Sequence, residues 1–117
     1  MDLSATCIFC SIIQKKIPAK IVLENDSVIA FNDINPVAPT HLLIIPKIHI
    51  ESISYANKNH SSYLSSIFFA AAELANQLKV SEQSYRLVFN TNKLAGQTVF
   101  HLHGHFLADR EFIWPPG

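Results

Sequence analysis

The sequence has 117 residues, enough for one domain with its own hydrophobic core and too few for two. Nine basic residues balance nine acidic ones, so no overall charge draws the chain to nucleic acid or to a membrane surface. Hydrophobic residues make up 49% of the chain and charged residues 15%, which indicates apolar surface covered by a partner. We therefore expect a homodimer in which residues 1–117 of each subunit form a single domain.

The N-terminal part of the chain predicts one short helix. Phe9, Ile12 and Ile13 recur at helical spacing, and the helix should end before Ile17-Pro18 because the residue before a proline disfavours helical backbone. Residues 1–6 lack the pattern of a signal peptide, and no apolar run is long enough to span a bilayer. We therefore expect the protein in the cytoplasm.

Three strands are predicted next. Residues 21–23 and 28–31 are rich in β-formers and flank turn-forming residues 24–27, a pattern typical of a hairpin. Residues 32–39 contain two prolines and should form a loop, whereas the apolar run 42–45 is typical of a strand buried on both faces.

The second half of the chain predicts a long helix followed by two strands. Apolar residues recur at spacings of three and four from Ser62 to Leu78, with serines available as the N-cap. Residues 85–90 alternate polar with apolar side chains, 91–97 should be loop, and 99–108 should be a strand that carries three histidines. The elements together predict an α+β domain with helices packed on an antiparallel sheet.

Three histidines alternate with non-ionisable residues in the run His101-Leu102-His103-Gly104-His105. An extended strand would place the three imidazoles on one face, about 7 Å apart. Such a row adds little to packing and repels itself when protonated, so a purely structural role is disfavoured. The row could hold Zn²⁺, or it could attack phosphorus, because a neutral imidazole is a competent nucleophile when an acceptor holds its other nitrogen.

Small neutral hydrogen-bond donors precede the histidines. Gly96, Gln97 and Thr98 offer an unhindered backbone, an amide and a hydroxyl, which can hold the oxygens of a phosphate. They do not form a Walker loop, since the chain has only three glycines and lacks the required lysine-serine pair.

Cys7 and Cys10 are the only cysteines. In a reducing compartment, a Cys-x-x-Cys pair is typical of half a metal site or of a redox pair rather than of a structural disulfide. Two thiols do not complete a zinc site, so a metal site and two reduced thiols near a terminus both remain open.

The run from His101 to Leu107 resembles the His-φ-His-φ-His-φ-φ signature of the histidine triad (HIT) superfamily, in which φ is hydrophobic. Further segments are similar to the Hint branch: Ile17-Pro18-Ala19-Lys20, Phe31-Asn32-Asp33-Ile34, Ala38-Pro39-Thr40-His41, Ile45-Pro46-Lys47-Ile48-His49 and Trp114-Pro115-Pro116-Gly117. The resemblance runs from Phe9 to the last residue. It implies an antiparallel sheet with one long and one short helix, and a sheet that continues across a homodimer.

The resemblance also implies an activity, the hydrolysis of purine nucleoside 5′-phosphoramidates such as AMP joined to an amine or to a lysine side chain. His103 would attack the α-phosphorus and form a nucleotidyl-histidine that water hydrolyses, without a metal. His105 would contact the phosphate and help to protonate the leaving amine. His41 and His101 would support the reactive tautomer of His103, as part of a protonated network that stabilises the transition state.

Substrate-binding and metal-binding residues follow from the same resemblance. Asp33 would accept the ribose hydroxyls, and the base would lie between apolar walls. The resemblance implies base contacts from Phe9, Ile17, Phe31 and Ile34, phosphate and ribose contacts from Asn90 and Thr98, a phosphate loop at Gly96 and Gln97, Trp114 from the partner subunit, and a structural zinc at Cys7, Cys10, His49 and His101. AMP and GMP are not ranked by any motif here.

Two positions depart from the pattern of the branch. Gly104 stands where the signature has a bulky apolar residue, so the strand is expected to bend and shift the spacing of the imidazoles on either side. Residues 108–110 replace a glycine-rich turn. The alternatives are therefore a hydrolase or nucleotidyl transferase acting on dinucleoside polyphosphates, and a non-catalytic purine nucleotide-binding or scaffolding module.

Overall fold

An antiparallel sheet of five strands organises the chain. The computed structural model describes residues 3–117, and its strands lie in the order β1-β2-β3-β5-β4. The elements are α1 (Ile8–Ile13), β1 (Ile21–Glu24), β2 (Val28–Asn32), β3 (Thr40–Pro46), α2 (Ser61–Gln77), β4 (Tyr85–Val88) and β5 (Gly104–Ala108). The predicted α+β class, both helices and all five strands are confirmed. Neither helix of the described chain is both long and apolar enough to cross a membrane.

The two faces of the sheet have different partners, because side chains alternate along each strand. Leu42, Ile44 and Phe106 are buried in the core that α2 covers. The alternate residues, among them Phe31 and Leu43, pack against α1 instead. The strand register pairs Phe31 with Leu43 and Leu43 with His105, so these three side chains form one row across the centre of the sheet. The histidine face of the sheet is therefore the face of α1.

The predicted histidine strand 99–108 is wrong in its first half. Only Gly104–Ala108 joins the sheet as β5, which leaves His101 and His103 ahead of the ladder. The backbone N–H of Leu102 donates instead to the carbonyl of Ile50, outside the sheet. Tertiary contacts therefore override the strand propensity of residues 99–103. Alternation still holds, since Leu102 is buried in the core under α2 while His103 lies on the opposite side.

Four smaller predictions also change. β3 extends beyond the predicted run 42–45 at both ends. β4 ends at Val88 instead of at residue 90. Val88 pairs with His105, and β5 begins only one residue earlier, so little of β5 is left for residues after Val88 to pair with. The N-cap of α2 is His60 rather than a serine, without a side-chain capping bond. The predicted loop 91–97 contains a short 3₁₀ helix at Lys93–Ala95.

Gly104 is buried, and the ring of Phe89 occupies the space that a larger residue there would take. A Cβ atom at Gly104 would lie 2.9 Å from Cζ of Phe89 and 3.2 Å from Cδ1 of Leu87, closer than normal contact. The rings of His103 and His105 lie 5.0 Å apart, closer than the roughly 7 Å of a regular strand, and line the same cavity. Leu87 of β4 and Phe89, which follows β4, fill the space of the missing side chain.

We expect Gly104→Ala to destabilise the protein by about 1 to 3 kcal/mol, the usual effect of overpacking a filled core. Urea denaturation measures the loss. In the Phe89→Leu background the same substitution should cost clearly less, because the smaller side chain leaves room for the new methyl group. Equal costs in both backgrounds would contradict this account of Phe89.

Candidate active site

A cavity of about 980 Å³ opens on the histidine face of the sheet. It lies at the upper end of the range of small-molecule sites, about 300 to 1,000 Å³, so a nucleotide fits by size. Apolar side chains from α1, the loop after it, β2 and β3 form most of its wall, and polar groups cluster at one side. The lining residues are Ile8, Phe9, Ile12, Ile17, Pro18, Ala19, Lys20, Phe31, Asn32, Asp33, Ile34, Asn35, Leu43, Thr98, Val99, His103 and His105.

The cavity brings together most of the predicted site residues, but not all of them. Those that line it are Phe9, Ile17, Phe31, Asp33, Ile34, Thr98, His103 and His105. Those outside its lining are His41, Asn90, Gly96, Gln97, His101 and Trp114. Trp114 is largely exposed and does not form part of the cavity wall of its own subunit.

Gln97 has a structural role in the loop before the histidines. Its amide nitrogen donates to the carbonyls of Glu51, at 2.7 Å, and Val99, at 3.1 Å. Its amide oxygen accepts the N–H of Asn92. Because both amide hydrogens are already used and the side chain is buried, the predicted contact between this amide and phosphate has no support in the structure.

His103 presents one ring nitrogen to the cavity with its lone pair free. Its Nδ1 lies 2.7 Å from the backbone carbonyl of His101, and since a carbonyl only accepts, Nδ1 carries the proton. The neutral ring therefore has its lone pair on Nε2. The edge of this ring meets Phe9, with ring centroids 5.2 Å apart. Of the two predicted supports, His101 contacts His103 through its backbone carbonyl, whereas His41 bonds to His105 instead.

His41 and His105 form a second hydrogen-bonded unit whose tautomers are also determined by its contacts. The backbone N–H of Val37 donates to Nδ1 of His41 at 3.1 Å, so that nitrogen carries no proton. The proton of neutral His41 lies on Nε2, which donates to Nδ1 of His105 at 2.9 Å. The proton of His105 then lies on Nε2. Neutral His105 thus keeps an Nε2–H that is not used in the bond to His41, and His105 is the member of the pair that lines the cavity.

In the free protein, burial disfavours the protonated form of these histidines. Burial lowers the pKa of His41 and of His103, and burial together with the neighbouring imidazoles lowers the pKa of His105 to about 4. Asp33 lies 3.3 Å from Nε2 of His41 and opposes these shifts without reversing them. These shifts favour neutral imidazoles in the free protein at neutral pH.

We expect the folding stability to fall as the pH is lowered from about 6.5 toward about 4, the values for His105 in the unfolded and folded chain. The folded pKa is the lower of the two, so the unfolded chain binds the proton first. The stabilisation is complete above the unfolded pKa and is lost as the pH falls toward the folded one. Urea midpoints at pH 7.5 and 5 measure this. His105→Asn should reduce the difference, and a wild-type midpoint that does not change would contradict the prediction.

Cys7, Cys10, His49 and His101 form a separate cluster behind His103. Their ligand atoms all lie within 4.8 Å of one another. Sγ of Cys7 is 3.4 Å from Nδ1 of His101, and Sγ of Cys10 is 3.4 Å from Nδ1 of His49. A tetrahedral zinc ion with normal bond lengths separates sulfur and nitrogen ligands by about 3.6 Å. The cluster therefore has the dimensions and donor set of a Cys₂His₂ zinc site.

Hydrogen bonds around this cluster prepare it for a cation. Nε2 of His101 donates to the carbonyl of Pro46 at 3.0 Å, which leaves the Nδ1 lone pair facing the thiols. Burial raises the pKa of the Cys10 thiol to about 11, so a cation is needed to favour its thiolate. Asp33, His41 and His105 also lie within 4.8 Å of one another, but the two imidazoles there are bonded to each other.

Several lining residues were not predicted from the sequence. Leu43 was assigned to a buried strand, and only the register of β2, β3 and β5 shows that it lies between Phe31 and His105. Pro18 and Ala19 adjoin Ile17 in the chain, and this adjacency was the available signal. Val37 acts through its backbone N–H, a group that every residue except proline has, so nothing in its side chain indicates the role.

The sequence matches one protein family along nearly the whole chain. The family model described as the scavenger mRNA decapping enzyme C-terminal binding domain matches residues 6–112. An uncharacterized HIT-like protein of Synechocystis sp. is 46% identical over 110 residues, covering 94% of this chain and 96% of the relative. The purine nucleoside phosphoramidase of Escherichia coli K12 is 45% identical over 103 residues, covering 88% of this chain and 87% of the relative.

A solved structure agrees with both sequence comparisons. The HIT family hydrolase from Legionella pneumophila Philadelphia 1 superimposes with a TM-score of 0.92 at 50% identity, covering 96% of this chain and all of that one. The class defined by the fold and the site is therefore that of small α+β proteins with a histidine-lined cavity. The chain belongs to the histidine triad (HIT) superfamily.

Proposed function

We propose that the protein is a hydrolase of purine nucleoside 5′-phosphoramidates, of the Hint branch of the superfamily. The observation that carries the proposal is the Nε2 lone pair of His103, which lies at a nucleotide-sized cavity while Nδ1 is bonded to the carbonyl of His101. An imidazole held in this way is a nucleophile at neutral pH. The similarity to a relative named purine nucleoside phosphoramidase supports the choice of substrate.

In the first proposed step, Nε2 of His103 attacks the α-phosphorus and forms an N–P bond. The bond between phosphorus and the leaving nitrogen breaks, its electron pair stays on that nitrogen, and the nitrogen takes up one proton from solvent to leave as the amine. In the second step, water attacks the phosphorus, the bond to Nε2 breaks and AMP leaves. The attacking water releases one proton, so no proton is consumed over the two steps.

His105 acts in this mechanism as a neutral donor. With its Nδ1 occupied by His41, its Nε2–H donates a hydrogen bond to a phosphate oxygen as negative charge develops there. The neutral pair holds no second proton to give away, so we assign the proton of the leaving amine to solvent rather than to His105. His41 maintains the tautomer of His105 and does not touch the substrate.

The rest of the cavity suits a nucleoside. Phe9, Phe31 and Ile34 offer apolar surface for a base, and Asp33 lies beside them as an acceptor for ribose hydroxyls. Thr98 adds a hydroxyl near the histidines. Asn90 and Gly96 remain proposed phosphate-side contacts of the neighbouring loop. AMP is the proposed product, with GMP as the other purine to test.

We propose a structural zinc ion at Cys7, Cys10, His49 and His101. Zinc would cross-link the start of α1 to His49, which follows β3, and to His101, two positions before the nucleophile. These residues hold the carbonyl of His101 against Nδ1 of His103, so they position the nucleophile without taking part in the reaction. Catalysis itself is proposed to need no cofactor.

The proposed assembly is a homodimer of single-domain subunits in the cytoplasm. β4 lies at an edge of the sheet, and Phe68 and Phe69 of α2 are exposed at 59% and 73%. Pairing of such edges across two subunits would extend the sheet and cover apolar surface. The exposed Trp114 would then reach the partner's cavity. Neither nucleic acid nor a membrane is a proposed partner.

The test is mass spectrometry of protein quenched during turnover of an AMP phosphoramidate. We expect a nucleotidyl adduct on the peptide that contains His103. Turnover with no adduct in repeated rapid-quench experiments would remove the covalent mechanism. Absence of turnover with tight AMP binding would favour the binding module, and turnover of dinucleoside polyphosphates alone would favour the other enzyme.

A further inference from the structure

The turn after β5 connects the C-terminal segment to the loop that precedes β3. Arg110 makes three contacts there: Nε donates to the carbonyl of Val37 at 3.3 Å, Nη1 donates to the carbonyl of Glu111 at 3.0 Å, and the guanidinium lies over the ring of Phe112 at 4.2 Å. The stacking on Phe112 restricts the guanidinium to the orientation that reaches Val37. This turn is one of the two places where the sequence departs from the pattern of the Hint branch.

Val37 contacts His41 of the His41–His105 pair as well as Arg110. Its N–H donates to Nδ1 of His41 at 3.1 Å, while its carbonyl accepts the bond from Arg110. Its side chain is 62% exposed, so packing contributes little to holding it. Pro36 and Pro39 have no N–H to donate, which reduces the hydrogen bonds that can fix this loop. The bond from Arg110 therefore matters to the position of the Val37 backbone.

Asp109 holds the other end of the same segment. One carboxylate oxygen accepts the hydroxyl of Thr40, the residue before His41. The other accepts the N–H and the hydroxyl of Ser81, at 2.9 and 3.0 Å. Asp109 adopts a positive φ of 71°, and Asp109 and Arg110 both contact the segment that leads into His41, at Thr40 and at Val37.

Two contacts favour the tautomer of His41 that carries its proton on Nε2: the N–H of Val37 faces Nδ1, and an oxygen of Asp33 lies 3.3 Å from Nε2. Because the N–H of Val37 points at Nδ1 of His41, that nitrogen carries no proton. The proton on Nε2 of His41 is donated to Nδ1 of His105, so the proton of His105 lies on its Nε2. If Val37 moved away, His41 could carry its proton on Nδ1 and accept from His105 instead. His105 would then have a lone pair, rather than an N–H, facing a phosphate anion, and the interaction would change from attraction to repulsion.

We propose that Arg110 is a positioning residue for this reaction: through the backbone of Val37 it holds His41 and His105 in the one tautomer that presents an N–H to the phosphate. Arg110 does not line the cavity, so it acts through Val37 and not on the substrate. The kinetic part of this inference rests on the proposed phosphoramidase activity, whereas the tautomer part does not.

Arg86 provides a matched control. Its guanidinium lies over the same Phe112 ring, at 5.2 Å, and donates to the carbonyl of Ile113 at 3.0 Å. Arg86 therefore anchors the C-terminal segment as Arg110 does, but its bonds do not reach the loop before β3. Arg110→Met and Arg86→Met both keep an apolar stem against Phe112 and remove one guanidinium each. Arg110 is exposed, so its removal leaves the core intact.

The test is ¹⁵N NMR of the imidazole nitrogens in the full-length protein at pH 7, without substrate. In the wild type and in Arg86→Met we expect protonated Nε2 and unprotonated Nδ1 for both His41 and His105. In Arg110→Met we expect averaged shifts that show a mixture of tautomers. A single, wild-type tautomer in Arg110→Met would overturn the proposal, and so would the same mixture in Arg86→Met.

The kinetic experiment uses an AMP phosphoramidate of a simple alkylamine. We expect Arg110→Met to lower kcat about fivefold with KM changed less than about twofold, because a hydrogen-bond donor to the transition state is lost in part of the molecules. Arg86→Met should retain wild-type kcat. An unchanged kcat in Arg110→Met, beside mixed tautomers, would overturn the kinetic part. An inactive wild type would instead reject the proposed function and leave the NMR result to decide the tautomer part.

Discussion

Replacing His103 with alanine is expected to lower turnover of an AMP phosphoramidate at least about 10⁴-fold, because the nucleophile itself is removed. The change leaves the carbonyl of His101 without its partner at 2.7 Å but does not remove the pair formed by His41 and His105. AMP should therefore still bind. Steady-state turnover and calorimetric titration with AMP measure the two effects separately.

His103→Asn and His60→Ala are the controls for this prediction. Asparagine keeps an N–H that can bond to the carbonyl of His101 but supplies no nucleophile, so it should be as inactive as alanine while folding better. His60 lies in the 3₁₀ turn before α2, where its Nδ1 accepts the N–H of Asn57, and its removal should leave kcat unchanged. Residual activity above about 1% of wild type in either His103 variant would assign the attack to another group.

The second large effect is expected from His49→Ala, which removes one ligand of the proposed zinc site and leaves both thiols. Zinc content should fall from one ion per chain to near zero. A ligand that binds only the folded state, at a hundredfold excess over its Kd, adds about 3 kcal/mol to the free energy of unfolding. For a chain of this size, loss of the ligand should lower the unfolding temperature by about 10 °C. Elemental analysis and calorimetry of untagged protein measure both quantities.

A chelator distinguishes loss of the metal from loss of the side chain. Wild type and His60→Ala should unfold at a lower temperature after chelation, whereas His49→Ala should not respond. Turnover of His49→Ala should fall less than about tenfold, since the bond from His101 to Pro46 is independent of the metal. Zinc-free wild-type protein that is insensitive to chelator would remove the site from the proposal.

The sequence predicted the elements well where local pattern and tertiary contacts agree. The apolar runs of β2 and β3 and the spacing in α2 are periodic enough to identify the elements, although not their ends. Residues 99–103 show the limit, because they have strand-forming residues but bond to Ile50 and to Gln97 instead of a neighbouring strand. No local pattern indicates a contact with a residue about 50 positions away.

The site was predicted through its side chains and not through its backbone. The alternating histidines and the Cys-x-x-Cys pair are marked by their own chemistry, whereas Asp33, His41 and His49 were assigned through the resemblance to the superfamily. The partners that set the protonation states are backbone groups of Val37, Pro46 and His101, which carry no side-chain signal. The lowered pKa values of His41, His103 and His105 could not be predicted either, since burial depends on the complete fold.

The alternation of side chains along β3 has a consequence for the tolerance of the gene to insertions and deletions. On one face of the strand Leu43 lines the cavity and His41 bonds to His105, while on the other Leu42 and Ile44 fill the core under α2. Removing one codon between Thr40 and Ile45 would exchange these two sets, so that an imidazole entered the core and leucine took its place beside His105. The number of residues in this strand therefore determines both the core and the active site. A substitution can be tolerated, but an insertion or deletion of one residue would disrupt folding and activity together.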